Sequence, residues 1–124
     1  MNKYRNTDKD IHKRIFNFVV SCFKDVVKKI PKTTENIPII QQLSSSLTSV
    51  GANDNEADAT LSSKDFIAKF SIVKKEAKET YYWLSLTKET CLIPNINIDS
   101  YIQECKEIFL IVSKIINNSR IKSS

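Results

Sequence analysis

SSKDFIAKFSIVKKEAKETYYWLSLTKE, residues 62–89, is the stretch whose reading decides the fold. It contains neither Gly nor Pro, and Ser62, Ser63 and Asp65 supply a Ser-x-x-acid start signal. In that signal a serine oxygen and a carboxylate satisfy free backbone N–H groups of the first helical turn. A helix over the whole stretch is about 40 Å long at about 1.5 Å per residue. Phe66, Phe70, Val73, Ala77, Thr80 and Leu84 recur at steps of four and three, so they share one seam. Ile72, Glu76, Glu79, Trp83 and Leu86 form a second seam, placing two carboxylates inside an otherwise apolar stripe. A helix with two seams requires partners on two sides. This predicts a bundle whose second seam stays partly exposed unless another subunit covers it.

The segments on either side read the same way. Upstream, Ile11, Ile15, Phe18, Cys22 and Val26 fall on one face of a helix over about residues 8–29, capped by Thr7 or Asp8. Phe16, Val19, Phe23 and Ile30 are expected to widen that face, and Pro31 to end the helix. A second helix over about 34–60 opens at Thr33 and Thr34, with Pro38 tolerated near its start because early helical N–H groups have no internal partner. Its apolar seam is Ile40, Leu43, Leu47 and Val50. Beside it runs a seam of small and polar residues, Gln42, Ser46, Ser49, Asn53 and Glu56. Gly51 costs about 1 kcal/mol relative to Ala in a helix interior, which a close helix crossing or a break in the helix would explain. Downstream, CLIPNINID reads as a loop around Pro94, and Asn97 or Asp99 caps a fourth helix over about 98–118. Its seam is Ile98, Ile102, Cys105, Phe109, Val112 and Ile116, and NNSRIKSS from Asn117 onward is expected to fray.

Four amphipathic helices with three short joints predict an all-α, antiparallel up-down-up-down four-helix bundle forming one domain over residues 1–124. One Gly and three Pro are few breakers for a chain of this length. Cys22, Cys91 and Cys105 have neither disulfide-framework nor zinc spacing, so free thiols in a reducing compartment are expected. The longest strongly apolar run, residues 108–112, is far shorter than the about 20 residues of a membrane span, and the charged start MNKYRNTDKD is unlike a secretory signal. The expected setting is the cytoplasm, with no membrane association.

The net charge of +5 is uneven: residues 1–32 carry +6, residues 33–61 carry −4 with no Lys or Arg, and the remainder is weakly basic. Lys9, Lys13, Lys24 and Lys28, backed by Lys3 and Arg5, make a basic stripe on the first helix and are the candidate nucleic-acid-binding residues. Asn55, Glu56, Glu76 and Glu79 are expected to hydrogen-bond between helices or across an oligomer interface, with Trp83 in the core or at that interface. Convergence of Glu56, Glu76 and Glu79 is the best case for a metal or catalytic site. The Glu-x-x-His pairs of carboxylate-bridged metal bundles are missing, and His12 reads as a helix-surface residue. No nucleophile elbow, phosphate-binding Gly loop or dinucleotide fingerprint is present. No enzyme activity, metal or cofactor is therefore expected. Among the third helix's aromatics, Tyr82 projects near Lys75 and Lys78 and retains an interest for base stacking.

The run SVGANDNEADATLSSKDFIAKFSIVKKEAKETYYWLSL, residues 49–86, with IIQQL before it at 39–43, resembles the bacterial 23S rRNA intervening-sequence protein family. The pairing of Ser49–Ala57 with Lys75–Leu84 is its most specific part. The resemblance implies a left-handed antiparallel bundle, a ring-like homo-oligomer for which a pentamer is favoured, nucleic acid (RNA or DNA) as the ligand, and no enzymatic activity. Family members commonly carry arginine after the Gln-Leu of the second helix, where this chain has Ser44, Ser45 and Ser46. That departure moves any nucleic-acid contact to the first or third helix. The alternative function is a structural or protein-binding homo-oligomeric scaffold.

Overall fold

The computed structural model describes residues 3–91, 93 and 97–123, with side chains from Ile11 onward. The side chains of Lys3, Arg5, Thr7, Asp8 and Lys9, and the loop residues around Pro94, lie outside the described residues. The chain forms four α-helices: α1 (Lys3–Asp25), α2 (Ile37–Asp58), α3 (Ser63–Thr90) and α4 (Ile98–Ser123). A short 3-10 turn, Val27–Lys29, follows α1.

α3 begins where its start signal places it, because the Ser62 hydroxyl accepts a 3.1 Å hydrogen bond from the Asp65 N–H. It buries Phe70, Val73, Ala77, Thr80, Leu84 and Thr87, while Phe66 and Trp83 are partly buried against the same core. α1 presents Ile11, Ile15, Phe18 and Cys22 to that core, and Val26 and Val27 join it beyond the helix end. Phe16 departs from expectation. One residue past Ile15 it has turned about 100° around the helix, and it is 66% exposed. α1 also ends earlier than its pattern suggests, at Asp25. The chain tightens into 3-10 geometry through a 2.9 Å bond from the Lys29 N–H to the Val26 carbonyl, which turns Val27 inward ahead of Pro31.

At the start of α2 the Thr33 side chain closes a turn instead of opening the helix. Its Oγ1 accepts from the Asn36 N–H at 3.2 Å, and the helix begins at Ile37 with Pro38 in its first turn. Gly51 lies within an unbroken α2, and a Cβ built there would sit 3.4 Å from Val19 Cγ2, which is ordinary van der Waals contact. The α1·α2 crossing therefore admits glycine without requiring it. α4 continues to Ser123, beyond the expected fraying point at Asn117, and Ile115, Ile116 and Ser119 are buried along its last turns. Of the expected seam, Cys105, Val112 and Ile116 are buried and Ile98, Ile102 and Phe109 pack partly buried against the core, while Ile108, Ile115 and Ser119 widen the buried face on one side. Phe109 lies at the edge facing α3.

Side-chain pairs establish the up-down-up-down arrangement. His12 meets Asp54 while Val19 faces Gly51, so α1 and α2 run oppositely. Glu56 meets Lys69 while Ser46 meets Thr80, giving the same relation for α2 and α3. Cys105 meets the Ala77 carbonyl while Asp99 meets Lys88, giving it for α3 and α4. Arg14 binds Glu104, and Tyr101 binds Asp25, closing α4 back onto α1. Each helix thus packs against two neighbours, and α1 and α3 stand diagonally opposite. Polar atoms inside the bundle are partnered: Thr80 Oγ1 lies 2.9 Å from Ser46 Oγ and 2.8 Å from the Glu76 carbonyl.

Because the Gly51 site has room for a methyl group, Gly51→Ala is expected to stabilise the fold by about 1 kcal/mol, seen as a higher urea midpoint with an unchanged slope. A lower midpoint would show that Val19 cannot yield.

Candidate nucleic-acid interface

Lys13, Lys24 and Lys28 are exposed, and Lys9 is carried on α1 with its side chain outside the described residues. Lys13 and Lys24 lie on the solvent side of α1, where they alternate with Phe16, Asn17, Val20 and Ser21. Lys28 is carried by the 3-10 turn, off the helical register of the others. Beside Lys13, Arg14 is neutralised by two carboxylates. Its Nε donates to Glu104 at 2.8 Å, and its Nη2 donates to Glu104 at 2.7 Å and to Glu107 at 3.1 Å. These charge-assisted bonds raise the Arg14 pKa, and they make the residue an α1–α4 staple.

Asn55, Glu56, Glu76 and Glu79, expected to hydrogen-bond between helices or across an oligomer interface, occupy three separate places, and Glu56 makes such a bond between α2 and α3. Glu56 is exposed and accepts from Lys69 at 3.2 Å. Glu76 lies seven residues beyond Lys69, about 10 Å along α3, so Glu56 does not converge with it. Glu76 and Glu79 are half-buried neighbours on α3, and the Trp83 Nε1–H donates to Glu79 at 3.4 Å. Burial raises the Glu76 pKa above the ordinary carboxyl value, and the charge of Glu79 raises it further. Asn55 borders a groove of about 450 Å³ between α1 and α2, lined also by His12, Phe16, Gly51, Asp54 and Asp58.

His12 is not the surface residue its position suggested. Its side chain is only 11% exposed, with Nδ1 2.5 Å from Asp54 Oδ1 and Nε2 3.3 Å from Asp58 Oδ1. Its ring meets Phe70 edge-on at 5.9 Å. The signal was present in the sequence, since Asp54 and Asp58 are one helical turn apart on α2, but their partner lies on another helix. Among the described residues, no group of three His, Cys, Asp or Glu side chains is placed to hold a metal ion. Cys22, Cys91 and Cys105 are free and buried. Burial pushes the Cys22 and Cys105 thiols up to about 12, leaving them protonated and poor nucleophiles.

A second cationic surface, only glimpsed in the sequence, lies between α3 and α4. Lys74, Lys75 and Lys78 line a groove of about 590 Å³ together with Ser71, Glu79, Tyr82 and Phe109. An adjoining recess of about 230 Å³ shares Lys78 and Phe109 and adds Tyr81, Lys106 and Leu110. The ammonium groups of Lys74 and Lys78 each lie 5.7 Å from the centroid of the Phe109 ring. Tyr82 is 56% exposed, its ring set at 80° against Trp83 with centroids 4.9 Å apart.

The geometry defines an all-α, antiparallel four-helix bundle with lysine-bearing outer surfaces and a polar tie between its first two helices. Residues 7–114 match the model of the 23S rRNA-intervening sequence protein family, and the chain belongs to that family. It is also similar to the crystal structure, at 1.70 Å resolution, of a protein with unknown function from the S23 ribosomal protein family of Bacteroides thetaiotaomicron. The two are 32% identical with a TM-score of 0.78, over 90% of this chain and 98% of that one. Comparison with curated proteins gives no match.

Two outcomes follow from the polar contacts. Replacing His12 by Leu leaves the buried Asp54 carboxylate without its ring partner and is expected to cost about 3–5 kcal/mol of unfolding free energy. Adding Asp54→Leu to that variant should restore most of the loss, and a single variant as stable as the natural protein would contradict the tie. At Glu76 the folded pKa lies above the ordinary value of 4.5, so the native state holds the proton more tightly than the unfolded chain. Its contribution is complete below that ordinary value and is lost as pH rises through the raised one. Glu76→Gln should therefore fold, alone or with Glu79→Gln, and should flatten the decline in urea midpoint above about pH 4.5. A steeper decline in the variant would reverse the assignment.

Proposed function

We propose that the chain is a non-enzymatic accessory protein that self-associates and binds RNA or DNA through lysine contacts to phosphate, without reading base sequence. The observation that carries this reading is the exposed set Lys13, Lys24 and Lys28, none of which has an ion-pair partner among the described residues. Lys9 continues the set in the sequence. Membership of a family named for an intervening sequence of 23S rRNA supports nucleic acid as the ligand. Phosphate contacts release counterions, and repetition of the lysines around a ring-like oligomer, a pentamer by resemblance, raises avidity for a long strand. No helix among the described residues is long and apolar enough to cross a membrane. The reading puts the protein in the bacterial cytoplasm, where free thiols stay reduced.

Self-association is supported by exposed apolar side chains on two faces. Phe16 lines the α1·α2 groove, Val20 is exposed one turn further along α1, and Ile72 lies on the second seam of α3, with Trp83 half-buried on the same seam. The same exposure favours the second reading, a structural or protein-binding homo-oligomeric scaffold without nucleic-acid activity. In light scattering the natural protein should show a multiple of its 14.2 kDa chain mass, and Phe16→Glu should reduce it. A monomer at high concentration defeats the oligomer. In a salt titration with fluorescent RNA and DNA, changing Lys9, Lys13, Lys24 and Lys28 to Glu should weaken binding and flatten the logarithmic salt slope by about 0.7–0.9 per lost contact. If the natural protein binds neither polymer at low salt, the scaffold reading takes its place.

A further inference from the structure

Some of the protein's cations are neutralised by carboxylates. Arg14 is held by Glu104 and Glu107, Lys69 by Glu56, and Lys88 by Asp99. In the α3·α4 groove no described carboxylate lies within ion-pair distance of Lys74, Lys78 or Lys106, while the charge of Lys75 acts on the neighbouring Glu76. Two of these ammonium groups converge on one aromatic ring, where they repel each other and receive only the weak attraction of its face. Among the described residues lining the groove Glu79 is the only acid, and its carboxylate accepts from Trp83. An anion entering between the lysines would meet concentrated positive charge in a cleft with apolar walls, where field is focused.

Aromatic rings in the same place narrow the ligand. Phe109 forms part of the groove lining, and Tyr82 stands more than half exposed at its side, held by edge-to-face packing on Trp83. An acidic peptide would use the lysines and leave these rings idle. A single-stranded nucleic acid uses both, with phosphates on the ammonium groups and a splayed base stacked on a ring, whereas a duplex keeps its bases stacked inside and gains only the charge. The geometry points to the α3·α4 groove as a binding site for single-stranded nucleic acid, with Lys74 and Lys78 taking phosphates and Tyr82 stacking a base. This rests on the nucleic-acid reading above and adds a second site with a preference for single strands.

The test compares a labelled single-stranded RNA oligonucleotide with its duplex, in salt titrations against the natural protein and surface variants whose folding is checked by circular dichroism. The Lys74→Ala, Lys78→Ala protein should bind the single strand about tenfold more weakly, with a logarithmic salt slope lower by about 1.4 for two lost contacts. Tyr82→Ala should weaken the single strand by roughly tenfold and leave the duplex within about twofold, a difference that loss of charge or altered assembly would not produce. Groove variants that bind like the natural protein, while the α1 lysine variants lose affinity, overturn the groove and leave the general reading intact. If the natural protein binds neither strand at low salt, the general reading falls with it. Groove variants that bind normally but change mass in light scattering would assign the surface instead to the acidic α2 of a second copy.

Discussion

Burial of one face of α3 is the constraint on which the rest of the bundle depends. Phe70, Val73, Ala77, Leu84, Thr80 and Thr87 are all almost completely inaccessible, and they fix the rotation of a 28-residue helix about its own axis. Once that rotation is set, every other side chain on α3 is aimed. Lys69 reaches Glu56 on α2, Thr80 meets Ser46, and Lys74 and Lys78 turn to the opposite flank against Phe109 of α4. Truncating the central ring, Phe70, would remove about 3–5 kcal/mol, a large part of the stability of a domain this size. The lysine-bearing surface and the hydrophobic core are therefore coupled. The lysine groove exists because the apolar stripe behind it faces inward.

The polar contacts add orientation to this apolar framework. His12 joins α1 to α2 through a nearly buried carboxylate, and Arg14, two residues on, joins α1 to α4 with bidentate geometry. A single turn of α1 thus addresses both of its neighbours, which disfavours sliding or rotation of α1 relative to the bundle. Tyr101 and Asp25 make a further α1–α4 contact near the other end of α1, and burial together with that bond pushes the phenol up to about 12. These ties consume several of the protein's cations and carboxylates. Lys13 and Lys24 on α1, Lys28 on its 3-10 turn, and Lys74, Lys78 and Lys106 beside the α3·α4 groove take no part in these ties.

Much of this was legible in the sequence because helical periodicity is a local property. The α3 seam, its Ser62 cap and the core positions of α1 follow from spacing alone. Where the reading missed, a neighbouring helix made the decision. Phe16 looked like part of a broad apolar face, but the core accommodates Ile15 and Phe18, leaving Phe16 outside. On α4 the expected seam packs on the core, but Ile108 and Ile115 beside it are buried as well, and Phe109 is only partly buried, at the flank of α3. His12 was not read as buried because its carboxylate partners, though paired one turn apart, lie 42 and 46 positions away on α2. Tyr82 and its lysine neighbours were visible as a pattern. Lys106 and Phe109, which turn that pattern into a groove, come from α4 and have no local signal.

The proposed single-stranded ligand needs charge and a stacking surface rather than a shaped pocket. Such a ligand contacts the protein at scattered lysines and one or two aromatics, so crosslinking reports on it directly. The most direct measurement is photocrosslinking of a single-stranded RNA containing 4-thiouridine to the natural protein at low salt, followed by tryptic peptide mapping. The account predicts crosslinks in the peptides spanning 79–88 and 107–114, which carry Tyr82 and Phe109, competed away by unlabelled single strand and by salt. Absence of crosslinks at low salt, or crosslinks confined to peptides outside α3 and α4, would contradict it.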